Sequence, residues 1–220
     1  SPYLRRRSRQ TAKSGWMLSR CSSTRTSTPV WPGDQRFELA WTMSKDQGDA
    51  VNVGRVVTTL HLGTHVDAPR HFRAGAPTVG ELELSPFLGP AQVVDVSQRD
   101  LIRTEDLERL LVPSTERLLL KTNAWRNDKS FPTEVPVVDL DVPEFLASRK
   151  IVLLGVDLPS VDRIDSRELP NHHALERFGV SILESLDLSA IPAGIYELIA
   201  LPLRLALADA SPVRAILRSI

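Results

Sequence analysis

The chain has 220 residues, 42% hydrophobic and 25% charged, which suits one soluble domain with a substantial core. No apolar run reaches the ~20 residues of a membrane helix; the most apolar stretch, 195–208, is interrupted by Glu197, Pro202 and Arg204. Formal charge is zero, but residues 1–30 hold seven basic groups and no acid, leaving 20 basic against 27 acidic groups elsewhere, a body of −7 that argues against a nucleic-acid partner.

The single cysteine, Cys21, excludes an internal disulfide framework and fits a reducing, cytoplasmic setting. Residues 1–28, rich in Arg, Ser and Thr, show no periodicity and read as an irregular basic arm. A transit peptide, a disordered arm and a non-native or misassigned start all have this composition. The expected domain is 29–220. It opens on Pro29-Val30-Trp31-Pro32-Gly33-Asp34, a turn-rich loop. Trp31 there is either a packed core or lid residue, or an aromatic wall for a flat substrate.

Residues 37–41 alternate weakly, like a half-buried strand, and 51–62 read as a longer strand leading into the next motif. That motif is His61-Leu62-Gly63-Thr64-His65-Val66-Asp67-Ala68-Pro69-Arg70-His71-Phe72. Gly63 and Pro69 exclude a regular helix across it. His61 and His65 are therefore expected at a strand end and in the loop beyond. Pro69 biases Ala68 to extended geometry, which aims Asp67 and His71 at one pocket.

Further strands are expected at 91–96, 118–120 and 151–156, the last two as continuous apolar runs buried on both faces. Thr104 reads as the N-cap of a helix, Asp141 caps another, and a third spans 168–178 and closes at Gly179. A short strand at 180–184 sets Glu184 on an apolar face, where a carboxylate is costly unless paired or metal-bound. Strands at 196–205 and 213–217 are expected to pair around a turn at 209–212. The sum is mixed α/β.

Three of the five histidines fall in the motif with Asp67; the other two, His172 and His173, precede Glu184. Neutral imidazoles and carboxylates bind Zn²⁺, Mn²⁺ or Fe²⁺. His61, His65, Asp67, His172 and Glu184 offer one ligand more than a single tetrahedral zinc accepts, which points to two metals bridged by Asp67. His71 is then free for general acid/base work. His173, about 100° round the helix from His172, is expected to face elsewhere. The chain has no Gly-x-Ser-x-Gly elbow, Gly-rich phosphate loop or Rossmann fingerprint.

The motif His-x-Gly-Thr-His-x-Asp-x-Pro-x-His-Phe resembles that of the cyclase-like metal hydrolases, and within them the bacterial kynurenine formamidases, or arylformamidases. The likeness runs from about Thr28 onward. It includes Trp31-Pro32-Gly33-Asp34, Val51-Asn52-Val53-Gly54, Gly155-Val156-Asp157-Leu158-Pro159-Ser160-Val161-Asp162, His172-His173, Glu184 and Tyr196-Glu197-Leu198-Ile199-Ala200-Leu201-Pro202-Leu203.

The resemblance implies a swivelling β/β/α-type single domain, a binuclear zinc site, a homodimer, and hydrolysis of N-formyl-L-kynurenine to L-kynurenine and formate in tryptophan breakdown. It implies that His61, His65 and Asp67 bind one metal, and Asp67, His172 and Glu184 the other. His71 would transfer protons, and Trp31 would contact the substrate's ring. A sister hydrolase opening a cyclic amide such as isatin is the nearest alternative, and a non-catalytic metal- or ligand-binding protein is the alternative of another class. Two departures stand out: Leu18-Ser19-Arg20-Cys21-Ser22-Ser23-Thr24 replaces an expected Asp-Ile-Ser-like strand, and Arg163 replaces an expected proline. Loss of that strand would leave a sheet edge unpaired.

Overall fold

A computed structural model describes residues 16–17, 26–125 and 130–220. In chain order the strands and helices are β1 (Trp16–Met17), β2 (Glu38–Met43), β3 (Val53–Val57), β4 (His65–Asp67), β5 (Leu88–Asp95), β6 (Leu101–Ile102), α1 (Thr104–Glu108), β7 (Arg117–Lys121), β8 (Val137–Val138), α2 (Val142–Ser148), β9 (Leu153–Val156), α3 (Pro170–Arg177), β10 (Ser181–Glu184), β11 (Gly194–Ile199), β12 (Ala210–Pro212) and β13 (Ile216–Ser219). The mixed α/β architecture expected from the pattern is what the chain adopts.

The main sheet runs β1-β13-β11-β5-β7-β9-β10-β4-β12. Its centre, β5, β7, β9 and β10, is parallel, and the strands outside that centre pair antiparallel. Parallel neighbours need crossovers, and here α1, α2 and α3 lie in those connections. Leu107, Leu146 and Leu175 from the helices pack with Leu118, Leu120, Leu154, Val156 and Ile182. The intervening Leu119, Leu153 and Leu183 join Val66, Ala91, Tyr196 and Leu198 in a second cluster. Side chains alternate along a strand, so both faces are apolar, which explains the unbroken runs in the sequence.

Ligands of open parallel sheets gather beyond the carboxyl ends of the strands. At those ends β9 runs into residues 157–162, and β10 finishes at Glu184. Beside them the sheet switches to antiparallel: β4 pairs with β10, setting His65 opposite Glu184. β12 then pairs with β4, setting Ala210 opposite Asp67 and Pro212 opposite His65.

Several elements differ from the sequence expectation. The strand expected over 51–62 ends at Val57, because its valines pair with β2 in a separate two-stranded sheet. Residues 58–64 then cross to the main sheet, with Gly63 at φ +70, so His61 lies in the turn before a strand and His65 begins that strand. Residues 38–43 form a strand that is exposed throughout rather than half-buried, because the described residues leave it uncovered. The expected turn at 209–212 is instead β12, held by the motif strand. Thr104 is the first helical residue; the cap is made by Asp106, whose carboxylate accepts the Arg103 N–H at 3.2 Å.

The arm is not irregular throughout, because Trp16–Met17 pair with β13 and cover the edge expected to be bare. The Leu18–Thr24 stretch lies outside the described residues.

Candidate metal centre

β4 carries two candidate ligands two residues, or one strand period, apart, so His65 and Asp67 point to the same face. His61 reaches them from the turn stabilised by Gly63. His172, in the first turn of α3, and Glu184, at the end of β10, arrive from the helix and the neighbouring strand. The structure thus brings together His61, His65, Asp67, His172 and Glu184. His71, at the end of a 3₁₀ turn begun by Pro69, stacks on His61 with ring centroids 4.0 Å apart. Ala68, at φ −99 and ψ 155, has the extended backbone that Pro69 demands.

Asp67 is the centre of the arrangement. Its Oδ1 lies 3.1 Å from His61 Nδ1 and 3.3 Å from His65 Nε2, and its Oδ2 lies 3.4 Å from His172 Nε2. Glu184 closes the other side, with Oε2 3.4 Å from His65 Nε2 and Oε1 3.6 Å from His172 Nε2. Two overlapping ligand groups result: His61, His65 and Asp67, and Asp67, His172 and Glu184.

The outer ring nitrogens are held. His65 Nδ1 donates to the Gly63 carbonyl at 2.8 Å, and His172 Nδ1 donates to Asp162 Oδ2 at 2.7 Å. Asp162 also accepts the backbone N–H groups of Asn171 and His172, at 2.9 and 3.1 Å, which docks the start of α3. Glu184 Oε1 accepts the Val161 N–H at 2.8 Å. The loop after β9 thus orients two ligands through their far atoms, as outer partners of metal ligands do.

His65 Nε2 and both oxygens of Asp67 are buried with no hydrogen-bond partner. Buried polar atoms are costly in that state, and a cation among them removes the cost. The donor set of imidazoles and carboxylates fits a divalent cation of the zinc, manganese or iron type. The electrostatics agree. Burial opposes charge on His65, but Asp67 and then Glu184 outweigh it and push its pKa up to about 10. Burial likewise opposes charge on His172, and Asp162, Asp67 and Glu184 push it up to about 10. Burial opposes charge on Asp67, but His65 and the neighbouring His172 and His61 outweigh it and hold its pKa well below the usual carboxylate range.

His71 moves the opposite way. Burial and the neighbouring His61 lower its pKa, so it is neutral at pH 7 and able to accept a proton.

These groups open on a cavity of about 370 Å³, lined also by Trp31, Trp125 and Phe131. Trp31 and Phe131 meet edge-on at 5.1 Å, and Trp125 lies 5.9 Å from Phe131. Such a mix of apolar rings and a few convergent polar groups is typical of a small-molecule site. His173 is exposed and packs edge-on against Phe72 at 5.3 Å, away from the centre.

Sequence reasoning missed Trp125, Phe131, Asp162 as a partner of His172, and Asp209, which lies 3.0 Å from His61 Nε2. Their signal in the sequence is faint, since isolated aromatics and loop aspartates are common everywhere.

A family profile described as "Putative cyclase" matches residues 18–163, so the likeness begins ahead of Thr28. The kynurenine formamidase of Bacillus cytotoxicus is 43% identical over 189 residues, 86% of this chain and 90% of that protein. A solved structure described as a potential metal-dependent hydrolase with cyclase activity matches with TM-score 0.74 and 29% identity, covering 88% of this chain and 92% of its own. Isatin hydrolase A of Labrenzia aggregata matches with TM-score 0.77 at 23% identity, over 89% of this chain and 90% of its own, a likeness of fold alone.

Proposed function

The chain belongs to the cyclase family and groups there with the kynurenine formamidases, and from that premise we propose that it hydrolyses N-formyl-L-kynurenine to L-kynurenine and formate. The observation that carries this reading to the chemistry is the set of buried, unpartnered donor atoms on His65 and Asp67 beside an aromatic-lined cavity.

A divalent cation belongs with this donor set. The finer assignment is two Zn²⁺ per subunit, with Mn²⁺ and Fe²⁺ satisfying the same ligands. His61, His65 and Asp67 would hold one, and Asp67, His172 and Glu184 the other. The two oxygens of Asp67 facing different histidines support its place in both ligand groups. When bound, the metal supplies Lewis-acid polarisation of the formyl carbonyl and makes a water acidic enough to attack it.

The chain's own groups do the rest. Trp31, with Phe131 and Trp125 beside it, receives the aryl ring and orients the formamide toward the ligands. His71, neutral before the reaction, takes the proton of the attacking water. It then gives that proton to the aniline nitrogen as the C–N bond breaks, so the amine leaves neutral. Burial of the ligands excludes bulk water from the reacting carbon.

The proposal extends to the rest of the molecule. Residues 29–220 are the hydrolase domain. The active form is a homodimer, supported by the apolar hairpin of β2 and β3, which leaves Leu39, Trp41, Val53 and Val56 exposed. The cytoplasm is its location, in keeping with the lone cysteine. Among the described residues no helix is long and apolar enough to cross a membrane.

The assay that decides the function offers zinc-loaded protein N-formyl-L-kynurenine and isatin side by side. Formate release with little isatin opening is expected. Preferential isatin opening would move the chain to the cyclic-amide hydrolases, and binding without turnover of either would make it a ligand-binding protein.

A further inference from the structure

His61 is the candidate ligand whose outer nitrogen is held by a group from a distant part of the chain. Its Nδ1 faces Asp67, and its Nε2 lies 3.0 Å from Asp209 Oδ2. The same oxygen lies 3.6 Å from His71 Nδ1. We propose that Asp209 is a positioning residue shared by the two halves of the reaction, holding His61 for the metal and His71 for proton transfer.

The chain fixes Asp209 in place through its backbone. Its carbonyl accepts the Ala68 N–H at 2.9 Å, and the next residue, Ala210, opens β12 opposite Asp67. A displacement of β12 would therefore move Asp209 and the motif strand together. The carboxylate accepts from His61 Nε2–H, which leaves Nδ1 with its lone pair toward Asp67 and a cation. An imidazole can give only one such lone pair while its other nitrogen carries the proton. This is the part played by Asp162 for His172 and by the Gly63 carbonyl for His65. Asp209 differs from those two in also lying beside a second ring, 3.6 Å from His71 Nδ1. At that distance its Oδ2 is beyond hydrogen-bond reach but sets a carboxylate charge beside that ring. His61, His71 and Asp209 also form a compact group of donor atoms. A metal ion among them would compete with the His61–Asp67 side for one imidazole, so the hydrogen-bonded arrangement is the one compatible with a metal at Asp67.

This inference rests on the formamidase reading, and its test separates the two. Asp209→Ala and Asp209→Asn are compared with the wild type for zinc affinity by chelator competition without substrate, for kcat and KM on N-formyl-L-kynurenine, and for thermal unfolding. Asp209→Ala is expected to weaken zinc binding about 10–100-fold. At saturating zinc it is expected to lower kcat about 100-fold with KM within about threefold, as loss of proton-transfer geometry requires. Asp209→Asn, which keeps an acceptor oxygen for His61, is expected to recover most of the zinc affinity. Zinc affinity and kcat within about twofold of wild type in Asp209→Ala would overturn the proposal. So would equal losses in both variants accompanied by a matching drop in unfolding temperature, which would mark a role in holding β12 alone. Should the wild type release no formate, the formamidase reading fails, and the zinc affinities still decide whether Asp209 holds His61.

Discussion

Asp67 is buried and sends its two oxygens to different histidines, so its removal reaches both ligand groups at once. Asp67→Ala is expected to lose bound metal and all turnover, read by elemental analysis of the purified protein. His71→Ala is expected to keep its metal while kcat falls by about 10²–10⁴, the usual worth of a positioned acid/base. Unchanged formate release in that variant would remove His71 from the mechanism. At this scale much of the candidate site was legible. His61, His65, Asp67 and His71 lie within one short motif, and spacing alone suggested shared chemistry. Asp209 was not legible: it meets His61 across 148 positions of chain, and no local pattern marks that encounter.

At the scale of elements, Gly155 in β9 leaves the space that neighbouring core side chains fill. A Cβ on Gly155 would stand 2.4 Å from Leu119 Cδ2 and 3.0 Å from Leu186 Cδ1. Both leucines are themselves enclosed in the core. Gly155→Ala is therefore expected to destabilise the fold by about 1–3 kcal/mol, the range for overpacking a tight core, measured by denaturant unfolding. The strands of this region were readable because burial on both faces makes them continuously apolar. The burial and extent of the hairpin strands, and β12, were misread for the opposite reason. Their residues obey the local pattern of a strand or a turn, while the pairing partner, which decides the outcome, lies elsewhere. Pro212 suggests a turn by its chemistry, yet it sits in a strand opposite His65 at the sheet's edge, where a missing N–H is tolerated.

For the whole molecule, the hairpin of β2 and β3 is an apolar surface that the described residues leave exposed. Trp41 is 61% exposed and Leu39 54% exposed, in a segment far more apolar than a solvated hairpin needs. The proposed homodimer predicts a solution mass of twice the 24.4 kDa chain, measured by light scattering. Trp41→Lys is expected to shift that mass toward the monomer, since a buried lysine would lose its hydration without a partner. An unchanged dimer in that variant would place the contact on another surface.

By itself the sequence determined the class of chemistry and the doubly buried strands of the core. Clustered histidines with an aspartate, set around Gly63 and Pro69, restrict the donor set, and apolar runs at 118–120 and 151–156 require burial on two faces. Only the tertiary structure decided how the distant pieces close on one another. It brought His172 and Glu184 to Asp67, Asp162 behind His172, Asp209 behind His61, and three scattered aromatic rings into one cavity. The reason is physical. Periodicity and turn chemistry are short-range properties of the chain, whereas these encounters follow from the register of β4 between β10 and β12 and from the loops at the ends of the parallel strands, which packing of the whole sheet sets.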